Sequence, residues 1–170
     1  HGIGRRQRQM CIRDSREAVM SISFNLSEEQ QMLRDMAHDF AKNEIRPVAE
    51  HYDTTMEFPW PVIRKAHELG LVSTHIGEDE GGMNLSAMDG LLIAEELAWG
   101  CTGIGTALEA NGLAQQPVIL GASDFLKKKY LAPMVDEPRM CAYAVTEPGA
   151  GSDVQGMKTT AVKKLSLIHI

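Results

Sequence analysis

Cysteine is scarce in this chain. Of three in 170 residues, Cys11 falls in an atypical amino-terminal stretch discussed below, and Cys101 and Cys141 build neither a disulfide framework nor a metal-ligand spacing. No apolar run approaches the ~20 residues that a bilayer-crossing helix needs. Concentrated positive charge is equally short: Lys127-Lys128-Lys129 is the sole basic cluster after residue 19, and a solvated helix face accounts for it. Leaving aside residues 1–19, with five Arg and two acidic side chains, 12 basic face 21 acidic residues, a net charge of −9. That balance argues against a basic surface for nucleic acid. The expectation is a soluble protein of a reducing compartment. A completed dinucleotide fingerprint is missing too, since neither Gly103-Ile-Gly105 nor Gly149-Ala-Gly151 extends to the full glycine pattern between a strand and a helix.

What is present is most concentrated in Met140 to Asp153. Cys141 to Val145 is a short apolar run consistent with a strand buried on both faces. Thr146-Glu-Pro-Gly-Ala-Gly-Ser-Asp153 follows with two glycines, two hydroxyls and several free amides. Small residues let a flat ring or a pyrophosphate approach the main chain, and exposed amides donate to it. An ordinary strand-exit turn is the alternative reading, because Pro-Gly is a common turn signal.

Before this stretch the periodicity is helical. Ser27 with Gln30 forms a capping-box pattern that opens a helix with Met32, Met36 and Phe40 on one stripe and Leu33, Ala37 and Ala41 beside it. Pro47 predicts its end near Ile45. Pro59 and Pro61 fit the first turn of a second helix and Gly70 its left-handed exit. Ser86 with Asp89 opens a third, bearing Met88, Leu91, Leu92 and Leu97 and ending at Gly100. A fourth is expected from Gly103 to Gln115, and Pro117 and Ser123 mark two short ones. Short connections predict an antiparallel helical domain. The period changes near Pro138, and Met157 to Val162 reads as the start of a further strand.

Tyr143-Ala-Val-Thr-Glu-Pro-Gly-Ala-Gly-Ser-Asp153 resembles the first signature of the acyl-CoA dehydrogenase family of flavoenzymes. Asn25-Leu-Ser-Glu-Glu-Gln30, Glu68-Leu-Gly-Leu71, Glu80-Gly-Gly82, Glu95-Glu-Leu-Ala98 and Gly100-Cys-Thr-Gly103 resemble the same family's amino-terminal domain in the same order. Gly100 to Asn111, Lys127 to Tyr130 and Glu137-Pro138 are most similar to its medium-chain members. The fold class implied is mainly α: the amino-terminal helical domain plus the first strand or strands of a middle β-barrel domain. The ends lie outside the resemblance. Arg5 to Ser15 reads as the translation of a transposase sequencing adaptor, and Leu165 to Ile170 as that of its reverse complement. A targeting peptide would explain the Arg-rich start but not the matching tail. The division expected is therefore residues 1–19 adaptor-derived or upstream, 20–138 helical domain, 139–164 start of the β-domain with its FAD-binding loop, and 165–170 adaptor-derived tail. Met20 is then the expected start, which points to a bacterial cytoplasmic protein, with the mitochondrial matrix as the alternative.

The resemblance implies FAD as cofactor, bound by Tyr143, Val145, Thr146, Gly151 and Ser152. Val145 and Thr146 would contact the isoalloxazine, with Gly151 and Ser152 near the pyrophosphate. It implies an acyl-CoA substrate, with Glu109 at the closed end of the acyl pocket, Leu113 on its wall and Ser152 touching the acyl-CoA. Gly105 stands where the medium-chain enzyme has Gln, implying a deeper pocket. No catalytic residue is assigned within the chain, since the family's base is a Glu of the carboxy-terminal domain, and no metal is implied. Leu69, Leu71, Met83, Leu85 and Ile93 match a hydrophobic dock for electron-transfer flavoprotein, and the full-length protein is expected to be a homotetramer. The chain by itself is expected to be inactive and to retain little FAD. An acyl-CoA oxidase and a non-catalytic helical interaction module stay open as alternatives.

Overall fold

A computed structural model describes residues 24–164 and 167–169. The segment 1–19 and the start at Met20 lie outside the described residues. Helix α1 (Glu28–Phe40) begins at the anticipated capping box: the Ser27 amide donates to Gln30 Oε1 and the Gln30 amide to Ser27 Oγ, each at 3.1 Å. Glu28 and Glu29 in its first turn complement the helix dipole. Its apolar stripe is narrower than the sequence predicts, with Ala37, Phe40 and Ala41 buried, Met36 packed against them and Met32 64 % exposed. The helical path does not stop at Ile45. It widens into a π turn (Ala41–Ile45), tightens through a 3-10 turn (Arg46–Val48) and continues as α2 (Ala49–Thr55), ending at Met56 with φ 59°. Pro47 sits in the first turn of the 3-10 segment, where a missing donor costs little, so it redirects the chain without breaking it.

Helix α3 (Trp60–Glu68) has Pro61 in its first turn and is followed by Gly70 at φ 70°. Helix α4 (Ala87–Gly100) starts at a second capping box, and α5 (Thr102–Gly121) turns back from it after Cys101 alone. The sequence predicts a break near Gln115, yet α5 runs through Pro117. Proline removes only the bond to the carbonyl four residues earlier, that of Leu113, a residue 61 % exposed, whose carbonyl water can serve. Two short helices follow, α6 (Asp124–Tyr130) and α7 (Ala132–Asp136).

Helices α1 and α4, the first and third of the predicted helices, run parallel, as alternate members of an antiparallel series do. Their amino-terminal caps are tied together, since Gln30 Nε2 donates to Asp89 Oδ1 at 3.1 Å while Asp89 Oδ2 accepts from the Ser86 amide and hydroxyl. About two turns on, His38 Nδ1 lies 2.7 Å from Glu96 Oε2 and its ring 4.3 Å from that of Trp99. Arg46 then stacks over Trp99 at 4.5 Å. The core between the helices contains Ile45, Ile63, Leu71, Ile93, Leu97 and Leu108, with a smaller cluster of Ile76, Leu131 and Met134 under α5 and α7. Leu71 and Ile93 are fully buried, so neither can belong to a docking surface. Their side chains are spent on the core.

The mainly α class is as expected, but the β part differs from the sequence reading. Residues 141–146 pair with no described strand, and Ala142, Tyr143 and Ala144 are exposed. A strand buried on both faces needs neighbours on each edge, and none lies beside this segment among the described residues. Residues 157–161 are likewise unpaired. The strand pair that does form is β1 (Val162–Lys164) with β2 (Leu167–His169), antiparallel, with Val162 opposite His169.

Glycine spacing sets the helix contacts. A Cβ at buried Gly105 would stand 3.1 Å from the backbone N and Cα of Ala98, whereas at Gly112 it would meet only Glu109 Oε2 at 3.8 Å. Gly105→Ala is therefore expected to lower stability by about 1–3 kcal/mol through overpacking. Gly112→Ala is expected to raise it by roughly 0.5–1 kcal/mol through helix propensity. Urea unfolding of the two variants checks the contrast, and equal shifts would refute the close α4–α5 approach.

Candidate functional site

The site begins on α5, where the helical period brings polar side chains into the core. Leu108, Asn111 and Gln115 share its buried face. Asn111 is fully buried and grips the chain leaving the helical region: its Nδ2 donates to the Arg139 carbonyl at 2.7 Å and its Oδ1 accepts from the Cys141 amide at 2.9 Å. One side-chain amide thus supplies the donor and acceptor that a neighbouring strand would offer. Cys141 Sγ also approaches Asn111 Oδ1 at 3.5 Å, and desolvation there pushes the thiol's pKa up. Gln115 Nε2 donates to Ser73 Oγ at 2.8 Å and approaches Met134 Sδ at 3.4 Å, and its buried Oε1 has no partner among the described residues. The bond to Gln115 holds Ser73, whose φ of 60° is left-handed.

From this anchor the chain enters the glycine-rich loop. Glu147 and Ala150 exchange both backbone hydrogen bonds, at 3.0 and 3.2 Å, around Pro148 and Gly149. Ala150 is buried beneath the turn, while Gly149 and Gly151 have nothing within 4 Å of where a Cβ would stand. The amides of Val145, Thr146, Gly151, Ser152 and Asp153 donate to no described residue. An open main-chain strip with unused donors fits a group that brings its own acceptors and needs close backbone approach, as a flavin dinucleotide does. Tyr143, Thr146 and Ser152 are exposed on this strip and Val145 is half-buried.

Glu109 and Leu113 lie on either side of Asn111 on α5. Leu113 faces outward, and Glu109 is half-buried without a hydrogen-bond partner among the described residues. Its pKa is raised by desolvation, an effect that the field of His75 partly offsets. His75 itself is fixed by Nδ1 at 2.9 Å from the Leu85 carbonyl, and its ring fills the space that a Cβ on Gly90 would need. Gly105 does not face an acyl pocket as the sequence comparison implied. It abuts the α4 backbone, and its missing side chain serves helix contact. The structure therefore joins the loop and the α5 candidates through Asn111, which sequence reasoning missed. The available signal was Asn and Gln at positions 111 and 115, in register with buried Leu108.

Two measurements test this geometry. Asn111→Ala strands the Arg139 carbonyl and the Cys141 amide and is expected to cost roughly 2 kcal/mol, with faster hydrogen exchange at Cys141; unchanged exchange there would discard the clamp. For Glu109 the folded-state pKa lies above the unfolded one, so the ionised form carries a penalty at neutral pH that disappears as pH falls below the unfolded value. Glu109→Gln is accordingly expected to raise Tm at pH 7, with a gain that shrinks on acidification. A gain that grows instead would contradict the assigned cause.

Comparison with known proteins follows the same line. Residues 27–138 match the family model described as acyl-CoA dehydrogenase, N-terminal domain. The chain is 42 % identical over 154 residues to a probable medium-chain specific acyl-CoA dehydrogenase 2, mitochondrial, of Caenorhabditis briggsae, covering 88 % of this chain and 38 % of that protein. Among solved structures, butyryl-CoA dehydrogenase from Megasphaera elsdenii superposes with a TM-score of 0.73 at 29 % identity, over 85 % of this chain and 39 % of that one. An acyl-CoA dehydrogenase complexed with FAD from Bacillus anthracis gives 0.68 at 34 % identity, over 81 % and 24 %. The chain thus spans about two-fifths or less of these proteins' length. With the family model matched over residues 27–138 and a relative 42 % identical over 88 % of the sequence, the chain belongs to the acyl-CoA dehydrogenase family.

Proposed function

We propose that this chain is the amino-terminal part of an FAD-dependent enzyme that oxidises a saturated medium- or straight-chain acyl-CoA to the trans-2-enoyl-CoA in fatty-acid β-oxidation. The observation that carries the reading is the tether: the open loop at 143–153 is fastened through Asn111 to the helix that bears Glu109 and Leu113. FAD, when bound, supplies the acceptor for the hydride. The residues here position and enclose. Val145 and Thr146 would bind the ring system, where Thr146 offers an amide and a hydroxyl to an electron-rich edge. Gly151 and Ser152 would approach the pyrophosphate, and Ser152 the acyl-CoA as well. Holding both partners at about 3–3.5 Å is the main rate contribution such a scaffold can make.

Glu109 suits the closed end of an acyl pocket because its surroundings already disfavour charge and water. Tyr143 completes the cofactor side. The proton-abstracting Glu is assigned to the carboxy-terminal domain of the longer protein, which we read as a homotetramer. Electrons would pass to electron-transfer flavoprotein. Of the proposed dock, Leu69 and Met83 are about half exposed and Leu85 is partly buried against the core, so the surface reduces to these three. Relatives described above come from bacteria and from mitochondria, in keeping with either compartment. Among the described residues no helix is long and apolar enough to cross a membrane.

Completed with its downstream domains, the protein is expected to purify with flavin absorbance and to oxidise acyl-CoA thioesters. Met83→Glu in that protein is expected to slow reduction of electron-transfer flavoprotein about tenfold or more, the size of a buried charge's cost, and to spare reduction of the enzyme by substrate. A colourless product that oxidises no acyl-CoA would overturn the reading, and rapid peroxide formation would reassign it as an oxidase.

A further inference from the structure

The carboxylate of Glu147 lies within the glycine-rich stretch, yet its hydrogen bonds run along the chain. Its Oε2 accepts from the Lys158 amide and its Oε1 from the Thr159 amide, both at 2.8 Å. Its own amide and carbonyl are engaged with Ala150. One residue therefore closes two rings, a tight one at 147–150 and a wide one that brings the far end of the loop, eleven residues on, back to its start. A carboxylate facing two successive amides has both oxygens matched to donors, and such charge-assisted bonds are roughly twice as strong as neutral ones. A hydrogen bond from the Thr159 side chain, with those from the two amides, holds the carboxyl below its ordinary pKa.

Inside the ring the loop has little else to shape it. Ala150 is its single buried side chain, and a 3-10 turn at Val154–Gly156 is closed by the Gly156 amide on the Asp153 carbonyl at 3.0 Å. Gly149 and Gly151 carry no side chain to hold a conformation, and glycine has the largest backbone entropy to lose. Three consecutive amides, Gly151 to Asp153, stay unused by described residues. Their relative placement depends on where the two ends of the loop are fixed.

We propose that Glu147 is a positioning residue: it buckles residues 148–157 into a closed loop, so that the Gly151–Asp153 amides are preorganised for the dinucleotide, and it takes no part in proton transfer. The inference rests on the reading of the loop as an FAD site. Preorganisation acts on affinity, because ordering that is already complete need not be repeated on binding. A buckle touching no reacting atom leaves the bound complex as it was.

The test has two arms. In the 170-residue chain, hydrogen exchange at the Lys158 and Thr159 amides is expected to be slowed, and Glu147→Gln to accelerate it about tenfold or more, since the amide group offers one acceptor and turns a donor toward the other N–H. In the protein completed with its downstream domains, Glu147→Gln is expected to weaken FAD binding about tenfold, with turnover at saturating FAD returned to the wild-type value and thermal midpoint retained. Thr159→Pro, which deletes the amide and hydroxyl donors of that residue and keeps the carboxylate, is expected to weaken FAD in the same direction. Unprotected amides in the wild-type chain, equal FAD affinity in Glu147→Gln, or a turnover deficit persisting at saturating FAD would each overturn the proposal. A completed wild-type protein that binds no FAD would instead remove the functional reading and the buckle's purpose with it, while exchange still decides whether the buckle exists.

Discussion

Asn111 is the constraint on which the arrangement of this chain depends. A segment leaving a helical domain in extended form has amides and carbonyls that must be satisfied, and here no described strand lies beside it. The buried side-chain amide of Asn111 supplies one donor and one acceptor at the spacing of a strand edge, to Arg139 and Cys141. Burying that amide is tolerable because both of its ends are matched, whereas a half-satisfied amide would carry most of its desolvation cost. The loop beyond is anchored by this contact with α5 together with Met140 and Cys141, which pack against the two core clusters.

The helical frame is specified by polar groups at its ends and small residues at its crossings. Two capping boxes stand side by side, and the Gln30 to Asp89 bond makes them one network, which aligns α1 and α4 in the same direction. Hydrogen bonds from Ser86 and Gln30 hold the Asp89 carboxyl below its ordinary pKa, so this contribution is present above the unfolded value and lost as pH falls through the folded one. Further along, Gly100 lets α4 approach Ala41 and Ile45, where a Cβ would stand at 3.0 Å. Close backbone approach and a tied start fix how the first and third predicted helices pack side by side.

Two carboxylates in different parts of the chain, Glu109 on α5 and Glu147 in the loop, show how environment assigns roles. Glu109, flanking the clamp on α5, is pushed toward its neutral form by loss of water, which suits the wall of an apolar cavity. Glu147 is held ionised by a hydroxyl and two amides, which suits a structural tie. Neither shift could be assigned from composition, because each arises from the folded surroundings: desolvation at Glu109, partly offset by His75, and the Thr159 and Lys158 donors around Glu147. The position of Glu147 inside the flavin-type signature was visible, but its partners were not.

Local chemistry fixed much of this protein before any tertiary contact was known. Ser27 with Gln30, Ser86 with Asp89, Pro61 and Gly70 each place a helix boundary through backbone geometry that is decided within a few residues, and the ordered motifs through Ser152 placed the chain in its family. Tertiary structure decided what depends on a distant neighbour. Pro47 and Pro117 did not end their helical paths, because a π turn and an exposed carbonyl absorbed the lost bonds. Leu71 and Ile93 went to the core because they join the cluster of Ile45, Ile63 and Leu97, and Gly105 went to a helix crossing because Ala98 lies against it. Cys141 to Val145 stayed unpaired because β pairing requires a second strand, and a side chain on α5 took that strand's place.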